Sequence, residues 1–325
     1  MKKFTSILIL LALLKVPGVF AQQDPQLSNY MFNVLEFNPA YAGSENMVSG
    51  VLQARTQWDG ITGHPFTGLL GVHTPIPTIN SGLGIEVTDD QEGQLNTFTG
   101  HINYAYLIKF SRKSVLSLGV QGGVMQASLD GANLRSPQGV YTGGTINHND
   151  PLIPVGFATS TAPDAGAGAY FHTDKLGLGF SVQHILPSNF LFSGPAGNSE
   201  ISAMPTYYGY GSYYIKLSGT LTLRPCFLIK ADDTHQQGDI DMMLLYKDVF
   251  YIGAGYRGIS TTDEDAGIVL LGIKLTDNWF LGYSYDLTIS GLASYESGTH
   301  ELFLKYTYAL IRPPKPGKSI YTPRY

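Results

Sequence analysis

From about residue 47 onward the chain is written in short stretches of strict alternation. Leu116, Leu118, Val120 and Val124 are apolar, while Ser117, Gly119, Gln121 and Gly123 between them are small or polar. Leu176, Leu178, Phe180 and Val182 alternate in the same way with Gly177, Gly179, Ser181 and Gln183. Period two places each set on one face of a strand. A face that is small or polar along its whole length suits a lumen and not a two-layer core. Fourteen such segments are read, at 47–57, 66–73, 82–89, 95–110, 114–129, 165–172, 176–184, 207–216, 221–230, 238–247, 249–256, 266–275, 279–286 and 299–308. Tight turns such as Thr173-Asp174-Lys175 and Thr276-Asp277-Asn278 alternate with longer connections near 130–164, 185–206, 231–237, 257–265 and 287–298. The exception is an eight-residue second connection at 74–81. Bacterial outer-membrane barrels have this asymmetry, with short periplasmic turns and longer extracellular loops. The fold expected is therefore all-β: a single transmembrane antiparallel outer-membrane β-barrel of about 14 strands. An even count places both termini in the periplasm.

One stretch does not alternate. Gln22 to Gly43 is interrupted by Pro25 and Pro39, and Asn29, Asn33 and Asn38 compete for backbone hydrogen bonds. It nevertheless carries Tyr30, Met31, Phe32, Leu35, Phe37 and Tyr41, too much apolar surface for a free linker. The reading is a plug packed at or in the periplasmic side of the barrel, with Tyr30, Phe32, Phe37 and Tyr41 buried. The backbone entropy of ordering some twenty residues, about 1–2 kcal/mol each, exceeds what four aromatics return. Asn33, Asn38 and the backbone therefore need partners in the wall, and Arg55 and Gln57 on the first strand are the candidates.

Composition sharpens the class. Glycine and tyrosine are abundant at 38 and 21 residues, only 14% of residues are charged, and the single cysteine, Cys226, excludes a disulfide framework. Lys2 and Lys3, the apolar run Ile7–Leu14 and Ala21 read as a secretory leader. Removing its three lysines and no acids takes the formal charge from −5 to −8. That sign and the lack of a basic cluster argue against nucleic acid as a partner. The expected organisation is a leader at 1–21, an N-terminal plug or periplasmic segment at 22–46, the barrel at 47–308 and a periplasmic tail at 309–325.

The stretch DPQLSNYMFNVLEFNPAYAG resembles the mature N-terminal signature of the PorP/SprF family, outer-membrane proteins of the type IX secretion and gliding systems of Bacteroidetes. Arg55-Thr56-Gln57-Trp58, Leu83-Gly84-Ile85 before Asp89-Asp90, the hairpin Gly282–Tyr306 and the ending Pro323-Arg324-Tyr325 are similar to the family in the same order. Ala54 departs from it, standing where an aromatic is expected before the arginine. The resemblance implies a barrel in the outer membrane that assists secretion or surface attachment of an exported partner such as a gliding adhesin. It also implies contact with periplasmic or outer-membrane components of the secretion machinery and with outer-membrane lipid, and no cofactor. Within the first motifs, Tyr30, Phe32, Asn33, Phe37, Asn38, Pro39, Tyr41, Arg55, Gln57 and Trp58 are the candidate plug or partner contacts. A porin or hydrophobe-type transporter is the alternative.

Chemistry is sparse. His148-Asn149-Asp150, Asp232-Asp233 with His235, and Asp263-Glu264-Asp265 are loop clusters read as solvated tips, and no protease, CxxC or nucleophile-elbow motif is present, so no enzyme is expected. Gly253-Ala254-Gly255-Tyr256-Arg257-Gly258 matches GxGxxG, but a Thr/Asp-rich loop follows where a dinucleotide site needs a helix. Parity puts Arg224 and Lys230 on the inner face of strand nine and Asp239 and Asp241 on that of strand ten. Opposite signs on adjacent strands can pair, stiffening the wall.

Overall fold

The computed structural model describes residues 21–22, 24–142, 144–233, 235–258 and 266–310. The leader residues 1–20, the acidic tip Asp263-Glu264-Asp265 and the ending Pro323-Arg324-Tyr325 lie outside the described residues. Fourteen strands form the wall: β1 Val48–Thr56, β2 Phe66–Ile76, β3 Ser81–Glu92, β4 Leu95–Lys109, β5 Ser114–Asp130, β6 Phe157–Thr173, β7 Leu176–Gln183, β8 Thr206–Tyr213, β9 Leu221–Ala231, β10 Gln236–Tyr246, β11 Phe250–Arg257, β12 Ala266–Lys274, β13 Trp279–Thr288 and β14 Thr299–Tyr308. Each pairs antiparallel with its neighbour in sequence, and β14 closes on β1 through the register His300↔Thr56 to Tyr308↔Val48. The sequence segments correspond strand for strand. Two differences concern the connections. β2 runs on to Ile76, so the eight-residue connection shrinks to a single turn around Pro77–Ile79. At the opposite end, β3 and β4 meet across only Gly93 and Gln94, with Gly93 at φ +61°.

Burial is inverted relative to a water-soluble sheet. On β5, Leu118, Val120 and Val124 are about half exposed, whereas Ser117 and Gln121 are buried. Exposed leucine and valine beside buried serine and glutamine is stable only where the outer solvent is hydrocarbon. The apolar core lies in the lumen: Tyr30, Met31, Val34, Phe37 and Ala40 pack on inward-facing Tyr170, Tyr208, Tyr210, Met243 and Leu270.

The segment before β1 supplies five of the thirteen buried residues of that core. It folds as three single 3-10 turns, Tyr30–Phe32, Val34–Glu36 and Pro39–Tyr41. Asn38 caps the last turn, its Oδ1 accepting from Ala40 N at 3.0 Å with Pro39 at the first position, where a missing N–H does no harm. The expected plug is present, and it is not confined to one mouth of the barrel. Asp24 lies at the long-loop end beside His184 and Lys230, and Gly43 lies at the short-turn end beside Pro75 and Gly82. The segment therefore threads the lumen from end to end, and its first residues do not share the side on which β14 finishes at Tyr308. The long connection between β7 and β8 contains a hairpin of Ser188–Gly194 and Gly197–Ala203. Its Phe190 and Phe192 are fully buried against Met125, Ala127 and Ala162, and Ala21–Gln22 pair in parallel with Ser202–Ala203.

Candidate functional site

Glu301 of β14 anchors the plug. Its Oε1 accepts from Asn29 N at 2.8 Å, Asn29 Nδ2 at 2.8 Å and Gln53 Nε2 at 2.7 Å; its Oε2 accepts from Ser28 N at 2.8 Å and Arg55 Nη1 at 3.0 Å. Ser28 uses its whole hydroxyl: it donates to Asp286 at 2.8 Å and accepts from Arg55 at 3.0 Å and Arg257 at 2.9 Å. Arg257 also donates to Asp239 at 3.0 Å and Asp286 at 2.9 Å. Two guanidiniums and three carboxylates, contributed by five strands, thus converge on two plug residues. Charge-assisted, multidentate bonds of this kind are geometrically demanding.

Two further clusters tie down the ends. At the long-loop end, Asp24 accepts from His184 Nε2 at 2.7 Å and from Tyr208, and its carbonyl accepts from Lys230. His184 Nδ1 lies 2.9 Å from Asp164, which in turn meets His101 at 2.6 Å. Burial alone would raise the Asp24 carboxyl, but His184 and Lys230 outweigh it and hold it below the usual carboxylate range. At the short-turn end, Glu45 pairs with Lys305 and accepts from Tyr41 at 2.8 Å. Burial opposes its ionisation, yet Lys305 and His73 prevail and bring it down to about 2. Glu36, midway, is the opposite case: burial, and then the charges of Glu86 and Asp24, push it well above the ordinary range.

The aromatics lie as expected. Tyr30 and Phe37 are fully buried, and Phe32 and Tyr41 are largely so. Phe32 meets Phe280 at 4.7 Å and Phe303 at 5.5 Å between ring centres, Phe37 stacks on Tyr208 at 5.7 Å, and Tyr41 sits edge-on to Tyr170 at 5.1 Å. The asparagine partners differ from expectation. Asn38 donates to the carbonyls of Ala169 at 3.1 Å and Phe180 at 3.4 Å, not to Arg55 or Gln57. Arg55 serves Ser28 instead. Gln57 and Trp58 rise above the plug and line the long-loop mouth.

The lumen charges face inward as parity requires, but they do not pair across β9 and β10. Arg224 donates to Met31 O at 3.0 Å and Tyr210 OH at 3.2 Å, Asp241 accepts from Tyr30 OH at 2.6 Å, and Asp239 is taken by Arg257. The plug stands where the opposing side chain would have reached. Ser28, Arg257, Asp286 and Glu301 were not among the candidates, although the inward parity of β11, β13 and β14 marks the last three. Glycines show the same imprint. A Cβ on Gly82 would strike Ala42, one on Gly119 would strike Ala40, and one on Gly168 would strike Asn38. In the GxGxxG match, Gly255 lies against Asp241 within the strand, and no helix follows among the described residues. His148 is buried in its loop, bonded to Tyr141 at 3.0 Å and Pro154 O at 3.1 Å, and is not a solvated tip.

Above the plug, the long-loop end opens into a vestibule of about 1010 Å³, floored by Asp24–Gln26 and lined by Trp58, Leu95, Ile201 and Leu292 among others. Trp58 adopts φ +55°, a costly conformation for a bulky residue, and its N–H donates to Thr299 Oγ1 at 3.1 Å.

A plugged barrel of this signature matches the family model described as type IX secretion system membrane protein PorP/SprF across residues 19–306. The chain belongs to the PorP/SprF family. Family and fold are those of an outer-membrane component of the type IX secretion system. A search of curated proteins finds no significant match for this PorP/SprF barrel. Among solved structures it is similar to the CymD monoaromatic hydrocarbon channel, at 12% identity and a TM-score of 0.46 over 90% of this chain and 94% of that one. It is also similar to the KdgM porin, at 11% identity and 0.35 over 80% and 99%, and to the P. putida toluene transporter TodX, at 11% and 0.45 over 83% and 92%. At these scores the likenesses carry no functional argument.

Proposed function

We propose that the chain is a closed scaffold of the type IX system, assisting secretion or surface attachment of an exported partner such as a gliding adhesin, with no catalytic role of its own. One observation carries this reading: the plug is bound along the full length of the lumen by three polar clusters and a continuous apolar core. Opening a pore means extracting Ser28 and Asn29, which takes three of five donors from Glu301 and the Ser28 hydroxyl from Asp286. Each hydrogen bond lost to a buried charged group costs about 1.5–3 kcal/mol. A porin has no use for such a lock, and the vestibule offers the partner a rigid face instead.

Gene deletion followed by surface proteomics tests the proposal. Loss of one or a few large exported proteins from the cell surface, with small-solute uptake unchanged, is the expected result. An unchanged surface proteome together with stepwise conductance of the purified barrel in planar bilayers would overturn it in favour of the transporter reading.

A further inference from the structure

Between the plug and the wall of β3 and β4 lies a second, smaller cavity of about 50 Å³. It is lined by Glu36 of the plug and by Glu86, Asp90, Thr99, His101 and Gln183 of the wall, among others; neither lysine nor arginine lines it among the described residues, Lys230 standing in the adjoining cavity that Glu36 also lines. The two histidines on its border are committed elsewhere, His101 to Asp164 and His184 to Asp24 and Asp164. Asp90 accepts one bond, from Thr67 at 2.6 Å. Glu86 is only 4% exposed, and its Oε2 has no partner in the protein. Among the described residues, none of Glu36, Glu86 and Asp90 forms an ion pair, in contrast to Asp24, Glu45, Asp239, Asp286 and Glu301.

Unpaired buried carboxylates are expensive, and the local remedies are a proton or a cation. The oxygen-only character of the free groups selects a hard cation. We propose that this cavity binds a hydrated divalent cation of the calcium type, tying Glu36 of the plug to Glu86 of the wall. No three His, Cys, Asp or Glu groups converge on one point among the described residues. The two carboxylates are therefore the protein's charged ligands, and threonine hydroxyls and water complete the shell. Calcium accepts six to eight oxygens in flexible geometry, water included, so such a shell is complete without a third carboxylate. The cavity has room for it, since a water's share of liquid volume is about 30 Å³. The ion would do on the β3–β4 side what the guanidiniums do on the β13–β14 side.

The test uses the whole mature barrel, purified in detergent, stripped with a chelator and titrated with calcium chloride by calorimetry and thermal unfolding. One ion per barrel is expected, with a Kd in the roughly 10⁻⁴–10⁻³ M range of extracellular sites, and the unfolding midpoint should rise with its concentration. Glu86→Gln and Glu36→Gln should each weaken binding about tenfold or more, while Asp277→Asn in a short turn leaves it unchanged. Because one variant is in the wall and the other in the plug, misfolding of either leaves the other to decide. Absence of binding at several millimolar calcium overturns the proposal. So does binding that both variants retain, and so does a Glu86→Gln barrel that is more stable to the same degree with and without calcium, which would mean that Glu86 simply carries a proton.

Discussion

Replacing Arg257 by alanine isolates the contribution of the polar lock. Arg257 is 2% exposed and makes five hydrogen bonds, three to Asp239 and one each to Asp286 and Ser28. Truncation leaves Asp239 without an ion-pair partner among the described residues and Asp286 with Arg55. Breaking a buried pair from one side costs about 3–5 kcal/mol. The wall is held by its backbone ladder whether or not Arg257 is present, so the loss should appear as plug opening. At 1.4 kcal/mol per tenfold, that is about two to three and a half orders of magnitude in the opening equilibrium. Hydrogen exchange read by mass spectrometry over residues 27–37 measures it, with the β3–β6 amides as internal reference. Arg257→Met combined with Asp239→Asn should recover part of the loss, because the stranded charge is removed with its partner. Unchanged protection of residues 27–37, with faster exchange in the wall instead, would refute the assignment of this cluster to the plug.

Leu178→Arg should impair assembly, since a cation on the lipid face costs roughly 2–4 kcal/mol near the midplane. Ser181→Arg should be no milder, because Ser181 is buried and donates to Phe37 O; expression and heat-modifiability on gels compare the two. Gly119→Val should displace the Pro39–Tyr41 turn, seen as loss of protection at residues 38–43 with the barrel still folded. Glu45 has its folded pKa lowered from 4.5 to about 2, so its stabilising contribution is complete above about 4.5 and lost as pH falls toward 2. The difference in thermal midpoint between wild type and Glu45→Gln should shrink across that window, and a constant difference would refute the pairing. In intact cells, a cysteine at Gly144 should react with an impermeant label and one at Asp277 should not.

The wall was legible because lipid outside and protein inside enforce period two on every strand. Leu116–Val124 and Leu176–Gln183 show it without any knowledge of partners. The plug was legible as an aromatic segment broken by prolines and asparagines, but its path was not. Nothing local distinguishes a segment that caps a mouth from one that threads the bore, because the deciding contacts come from wall residues some 130 to 270 positions away, such as Phe180 and Glu301. Small inner faces were read as a property of a lumen. At Gly82 and Gly119 they are seats for the plug backbone, and at Gly168 for the Asn38 side chain. Arg224, Lys230, Asp239 and Asp241 were correctly turned inward, and only their partners were missed, since adjacency in the sheet cannot anticipate a third body between the strands. The hairpin at Ser188–Ala203 left a trace in the short apolar run Phe190-Leu191-Phe192, bounded by Asn189 and Ser193.

The seam of the barrel and the anchor of the plug are one structure. β14 is the last strand of the wall to leave the secretion channel, and its Glu301 sits directly opposite Arg55 of β1. That carboxylate takes three of its five bonds from Ser28 and Asn29 and a fourth from Arg55 itself. A cylinder zipped shut around an empty bore would bury Glu301 with Arg55 and Gln53 as its only donors, and later threading of the plug would have to pass Phe32, Phe37 and Tyr41 through a finished wall. This chemistry favours an order of events in which the first segment of the chain lies in the trough of the open sheet before the final strand arrives. Closing the seam and seating the plug are then expected to be one step.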